Sequence, residues 1–299
     1  MPSASTSKQT VSEEFVYVGD QWYPSHQAKI SVFDHGLLYG DGVYEGMRAY
    51  QNKVFKLEEH LARFERSCRC MMLSIPLSRE KIVELISEGM QIHKLNNAYI
   101  RMLLTRGEGP IGPDPKPCKS PKFILILRDI PPLHGAGKTG IRVALSTVRR
   151  CGVDSATAQI KSLNYLPTIL AKIEAGRLQV DDVIMLDARG FVAEAPVANV
   201  FIARGGRVYT PKLSSGVLEG VTRTVAIKLL QHMVIDVREQ DLTPYDLSVA
   251  EEFFLTGTHA EIVSVTEYNG MAVGDGAAGP ITTQLQTLFR KSTIGEIPI

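Results

Sequence analysis

Apolar residues recur along this chain in two rhythms, one near the helical period of 3.6 and one of strict alternation. Leu57, Leu61, Phe64, Cys68 and Met71 predict one amphipathic helix, and Ile82, Leu85, Ile86 and Met90 a second, N-capped by Ser78. Leu163, Leu166, Leu170 and Ile173 keep the same spacing further on. There Pro167 falls in a first turn, and Gly176 suits the left-handed C′ position. Helices are also expected at 221–232 and from Pro280. Strands are expected at 15–18, 43–50, 98–105, 123–127, 141–148, 199–203 and 207–210, and near 234–238, 252–256 and 261–265. Segments 183–187 and 191–194 look like a hairpin turning at Ala188-Arg189-Gly190.

In strand 98–105, Ala98, Ile100, Met102 and Leu104 share a purely apolar face. Tyr99 and Arg101 share the other, and a phenol beside a guanidinium suits an anion pocket. The Gly/Pro-rich stretch Asp129–Gly137 is the natural linker. It divides the chain into a lead-in at 1–14, a small mixed α/β domain at 15–128, a linker at 129–139 and a larger domain at 140–299. The many short strands of the last part predict a barrel-like β domain with flanking helices. The expected class is α/β (α+β) with two domains.

Composition narrows the function. The net charge of +1 gives no field for nucleic acid, and no apolar run is long enough to span a bilayer. The N-terminus lacks the apolar core of a secretory signal, and Cys68 and Cys70 are spaced for neither a disulfide nor a zinc site, so a cytoplasmic chain without a metal is expected. Pro132–Thr139 imitates a phosphate loop. However, proline stands where that loop needs glycine, and a strand rather than a helix follows.

Candidate chemistry gathers at Lys161, just ahead of the 163–173 helix, where a macrodipole disfavours a cation and favours an amine nucleophile. Gly220-Val221-Thr222 opens a helix with free N–H groups, an anion site, and Thr256-Gly257-Thr258 can add hydroxyls and turn amides. With the acidic Glu194 on a strand, these are the groups that pyridoxal 5′-phosphate (PLP) requires. Its aldehyde takes a lysine, its phosphate a helix start, and its ring nitrogen an acid.

Five stretches in order resemble the class IV (fold type IV) PLP aminotransferases, most closely the branched-chain amino acid aminotransferases. They are Asp34–Arg48, Tyr99-Ile100-Arg101, Lys161–Tyr165, Gly220–Arg223 and Thr256-Gly257-Thr258. The likeness runs from about residue 15 to 290. It implies a homodimer or larger assembly that passes amino groups between L-branched-chain amino acids and 2-oxoglutarate. By the same resemblance Lys161 forms the Schiff base and shuttles the proton, Glu194 partners the ring nitrogen, and Tyr165 donates to the ring hydroxyl. Leu218 packs on the ring, and Arg63, Gly220, Val221, Thr222 and Thr258 hold the phosphate. Tyr99 with the amides of Thr258 and His259 takes the substrate α-carboxylate, and Arg101 takes the glutamate side chain. Tyr44 lines the side-chain pocket, and Tyr39 reaches in from the neighbouring subunit.

Three features depart from the pattern. His259 replaces a common alanine, no tyrosine follows Leu127 to assist Arg101, and the lysine-to-tyrosine spacing matches the D-amino acid enzymes. Against a D-amino acid enzyme, Ile111 and Pro113 occupy the places of its Arg-x-His pair. An (R)-amine transaminase and aminodeoxychorismate lyase share the fold; Tyr99 with Arg101 favours transamination.

Overall fold

The computed structural model describes residues 14–134, 139–152 and 159–299. Most of the expected lead-in, and Gly135–Lys138 of the expected linker, lie outside these. The first half runs β1 (Phe15–Val18), β2 (Gln21–Pro24), α1 (His35–Tyr39), β3 (Gly42–Tyr50), β4 (Lys53–Val54), α2 (Leu57–Cys70), α3 (Arg79–Ile92), β5 (Ala98–Thr105) and β6 (Lys122–Arg128). Its strands form one sheet in the order β2-β1-β6-β5-β3-β4. The predicted stripes of α2 and α3 cover this sheet, packing Leu61, Phe64, Ile82 and Leu85 onto Met47, Ile100 and Met102. Ser78 caps α3 as expected, accepting from the N–H of Lys81. The Gly-rich stretch 34–42 contains the short helix α1, started by the Asp34 side chain and stopped at Gly40 (φ 68°).

The second half runs β7 (Ile141–Arg149), α4 (Leu166–Arg177), β8 (Asp182–Leu186), β9 (Glu194–Ala195), β10 (Ala198–Arg204), β11 (Arg207–Pro211), α5 (Val221–His232), β12 (Val237–Gln240), α6 (Pro244–Ser248), β13 (Glu252–Gly257), β14 (Glu261–Tyr268), β15 (Met271–Ala272) and α7 (Pro280–Thr293). The strand that follows Pro132–Thr139 is β7, so that stretch lacks the helix a phosphate loop needs. The second sheet is ordered β12-β11-β10-β13-β14-β7-β8. The hairpin expected at 183–187 and 191–194 forms: the N–H of Asp187 donates to the carbonyl of Phe191 at 2.8 Å, that of Ala193 to the carbonyl of Met185 at 2.9 Å, and Leu186 bridges Val192 antiparallel. Its first arm, β8, also pairs in parallel with β7, and β9 at the end of its second arm pairs with β10. That short join returns the path from β8 to β10 and closes the sheet into a ring at the segment carrying Glu194.

Alternation sorts the ring's residues. Val200, Ile202, Phe253, Leu255, Val263 and Val265 form one core with β7 and β8. Phe201 and Phe254, stacked 5.0 Å apart, face the other way and pack with α5 and α7. Helix α4 corrects an expectation. It buries Thr168, Ala171 and Ala175, while Leu166, Ile169, Leu170 and Ile173 are exposed. Gly176 lies inside α4 rather than beyond its end.

Candidate active site

Lys161 is placed by its backbone. Its carbonyl accepts from the N–H of Tyr44 at 2.9 Å, its N–H reaches Ser67 Oγ at 3.3 Å, and Ser162 bridges Val43. Strand β3 and helix α2 therefore fix where the side chain starts. Its Nζ stands 4.5 Å from the centre of the Tyr44 ring, and the residue lines a cavity of about 380 Å³. Withdrawal of the amine from water, and after it the Arg63 guanidinium, lower its pKa to about 8. The causes here are burial and a neighbouring guanidinium, whereas the sequence pointed to the start of α4, which begins downstream at Leu166.

Glu194 and Leu218 line the same cavity as Lys161. One oxygen of Glu194 pairs with Arg150 at 2.7 Å; the other accepts from Asn199 Nδ2 at 3.0 Å and from the N–H of Leu218 at 3.1 Å. Burial nevertheless pushes this carboxyl above the usual carboxylate range, with Arg150 opposing. The amide of Asn199 also donates to the carbonyl of Leu218 at 3.0 Å. One asparagine thus aligns both the acid and the loop leading to α5.

That helix starts at the cavity. Gly220 is its N-cap and has no side chain to offer, so the first N–H groups of Val221 and Thr222 are left for a ligand. A Cβ on Gly220 would come within 2.1 Å of Asn199 Oδ1, so only glycine fits. Arg63, also on the cavity wall, is held by Glu45 through Nε at 2.7 Å and Nη2 at 2.9 Å, and its Nη1 donates to the carbonyl of Glu219 at 2.8 Å. His60 Nδ1 adds a third bond to Glu45, at 2.9 Å. Burial raises the Glu45 carboxyl, but the Arg63 guanidinium overrides it and holds the pKa at about 2.

Of the sequence-predicted residues, Arg63, Lys161, Tyr165, Glu194, Leu218, Gly220, Val221, Thr222 and Thr258 come together on this one cavity. Tyr44, Tyr99, Arg101 and His259 lie outside its wall, in a connected aromatic–cationic group. The hydroxyls of Tyr44 and Tyr165 are hydrogen-bonded, the Arg101 guanidinium lies 4.2 Å from the Tyr44 ring centre, and His259 packs on Tyr99 at 5.0 Å. His259 Nε2 also meets the carbonyl of Pro131 at 3.0 Å. Tyr39 stands apart on α1, exposed, its hydroxyl accepting from the N–H of Gly112 at 2.6 Å.

Sequence reasoning missed Glu45, His60, Arg150 and Asn199. Strand β3 is buried at eight successive positions, so no alternation set Glu45 apart. His60 sits on the same buried face of α2 as Leu61 and Phe64, and its charged neighbours disguise it. Arg149-Arg150 looks like a solvated pair at a strand end.

One cavity thus gathers a lysine amine of lowered pKa, a hydrogen-bonded acid and an uncapped helix start. The amino-transferase class IV family profile matches residues 42–268. A putative branched-chain-amino-acid aminotransferase of Methanocaldococcus jannaschii is 43% identical over 275 residues, covering 92% of this chain and 95% of its own length. The Escherichia coli branched-chain amino acid aminotransferase superposes with a TM-score of 0.92 at 31% identity over 96% of each chain. The branched-chain amino acid aminotransferase from Thermobaculum terrenum, in its PLP form, superposes with a TM-score of 0.85 at 26% identity, over 96% of this chain and 95% of its own. This chain therefore belongs to the class IV aminotransferases, and it is an aminotransferase.

Proposed function

We propose that this aminotransferase passes amino groups between L-branched-chain amino acids and 2-oxoglutarate, with PLP as its cofactor. The observation that carries the reading is Lys161. Its amine, lowered to about 8, stands in a cavity with Glu194 on one wall and the open start of α5 on another. The residues fit the cofactor. Gly220 has no side chain to cap α5, and the α5 N–H groups await an anion. When bound, PLP supplies the electron sink for breaking the substrate Cα–H bond.

Within this reading Lys161 Nζ would hold the cofactor at its aldehyde and move the substrate proton. Glu194 would serve the ring nitrogen, Tyr165 the ring hydroxyl, and Leu218 would pack on the ring. Arg63, Gly220, Val221, Thr222 and Thr258 hold the phosphate. Tyr99 and the amides of Thr258 and His259 bind the α-carboxylate. Arg101 serves the glutamate carboxylate, and Tyr44 lines the side-chain pocket beside Tyr39 of the partner subunit. A homodimer is supported by two exposed apolar areas: Val32, Phe33 and Leu37 near α1, and Leu166, Ile169, Leu170 and Ile173 on α4.

The purified protein should be yellow, and borohydride should fix PLP on the peptide containing Lys161. A label on Lys138 or Lys172 instead would overturn the assignment. Incubation with 2-oxoglutarate should give L-glutamate from leucine, isoleucine and valine. Preference for D-amino acids or (R)-amines, or release of pyruvate from aminodeoxychorismate, would move the chain to another activity of this fold.

A further inference from the structure

Thr256, at the end of β13, lines the cavity and is fully buried, yet its Oγ1 has no hydrogen-bond partner among the described residues. A buried hydroxyl without a partner is disfavoured, so a residue of this shape in a dry wall is ordinarily valine. Ser264 Oγ likewise has no partner among the described residues, but Ser264 does not line the cavity.

The register gives the hydroxyl its direction. Thr256 stands opposite Asn199 on β10, so the two side chains share one face of the sheet. Asn199 on that face contacts the carbonyl of Leu218 and abuts Gly220. Two residues along, Phe201 and Phe254 pack on the same side with Val225 and Leu229 of α5. The Thr256 side chain is therefore on the face that α5 covers, at the level of its first turn, where Val221 and Thr222 present free N–H groups. These neighbours are hydrogen-bond donors, and so is the threonine hydroxyl. A group able to accept from all of them at once is an oxyanion.

We propose that Thr256 Oγ1 donates a hydrogen bond to a phosphoryl oxygen of the ligand held at the start of α5, as a third hydroxyl beside those of Thr222 and Thr258. The ligand class is a phosphate monoester, and the inference rests on the cofactor reading above. Such a bond is charge-assisted and so belongs to the stronger kind.

The test compares Thr256→Val, which keeps the shape, with Thr256→Ser, which keeps the hydroxyl. Affinities of the apoprotein for PLP and for unphosphorylated pyridoxal are measured by absorbance titration. Thr256→Val should bind PLP about tenfold more weakly, the size expected when one charge-assisted bond is lost, with its pyridoxal affinity unchanged. Thr256→Ser should stay within about twofold of wild type for both. If Thr256→Val does not fold, Thr256→Ala takes its place with the same expectation. Wild-type PLP affinity in the variant, or equal losses for PLP and pyridoxal, would overturn the proposal. Failure of the wild-type protein to bind PLP would instead overturn the cofactor reading.

Discussion

At the scale of single residues the site turns on where charge is tolerated. Lys161 loses its proton more readily than an ordinary lysine because its amine is withdrawn from water beside Arg63. Protonated, it is no nucleophile. The rate at which apoprotein captures PLP should therefore fall about tenfold per pH unit below about 8 and level off above it. Stopped-flow absorbance across this range measures the midpoint. A midpoint near the ordinary value of 10.5 would show that the amine is solvated. Arg101 poses the complementary question of how one pocket takes both leucine and glutamate. Burying an unpaired carboxylate is costly, and Arg101, stacked on Tyr44, is the cation that can pair with it. Arg101→Leu should slow the half-reaction with L-glutamate by the loss of about 2–5 kcal/mol of interaction, and that with L-leucine far less. Equal losses would make Arg101 a scaffold residue. Lys161, Tyr165, the Gly220–Thr222 helix start and Thr258 were legible because their motifs are local. Glu45, His60, Arg150 and Asn199 were not, although the last two line the same cavity, because each is defined by the group it holds, as Arg150 holds Glu194.

At the scale of elements, periodicity located helices and strands well and their partners less well. Helix α3 and its Ser78 cap were legible because capping and amphipathicity are written within a few residues. The hairpin after β8 was legible from its turn, but the pairing of β9 with β10 was not, since a turn does not tell which further strand its second arm meets. The end of α5 shows a local conflict of another kind. Val234 follows the helix at φ 60° and is 93% exposed, with its N–H on the carbonyl of Gln231 and that of Ile235 on the carbonyl of Leu230. This is the left-handed C′ position that favours glycine, occupied by a β-branched residue. The strain is roughly 1–2 kcal/mol, and the entropy glycine adds to the unfolded chain offsets part of the gain. Val234→Gly should therefore raise stability by about 0.5–1 kcal/mol, seen as a higher urea midpoint at unchanged slope. A lower midpoint would mean that the valine is packed by something in the folded assembly.

At the scale of the whole molecule, the apolar stripe of α4 has a different meaning from the one its spacing suggested. Periodicity reports that a helix face is apolar; it does not report what covers that face. Within the chain, α4 is seated by the small residues Thr168, Ala171 and Ala175, which let it lie close on β7 and β8. Its large residues face outward, as do those near α1, where Tyr39 is placed away from the cavity of its own chain. A twofold assembly would bury matching surfaces on both copies and bring Tyr39 to the partner's site. The wild-type protein should therefore sediment as a dimer or larger assembly. Leu170→Asp combined with Ile173→Asp should weaken association by about a hundredfold or more, since each buried carboxylate would lack a partner. Both positions are exposed within the chain, so the helical signal in circular dichroism should not change. The separated subunits should still capture PLP, because Lys161, Glu194 and the start of α5 all belong to one chain, but turnover should drop as Tyr39 is withdrawn. A wild-type monomer with full activity would sink the dimer reading, and with it the assignment of Tyr39 to the neighbouring site.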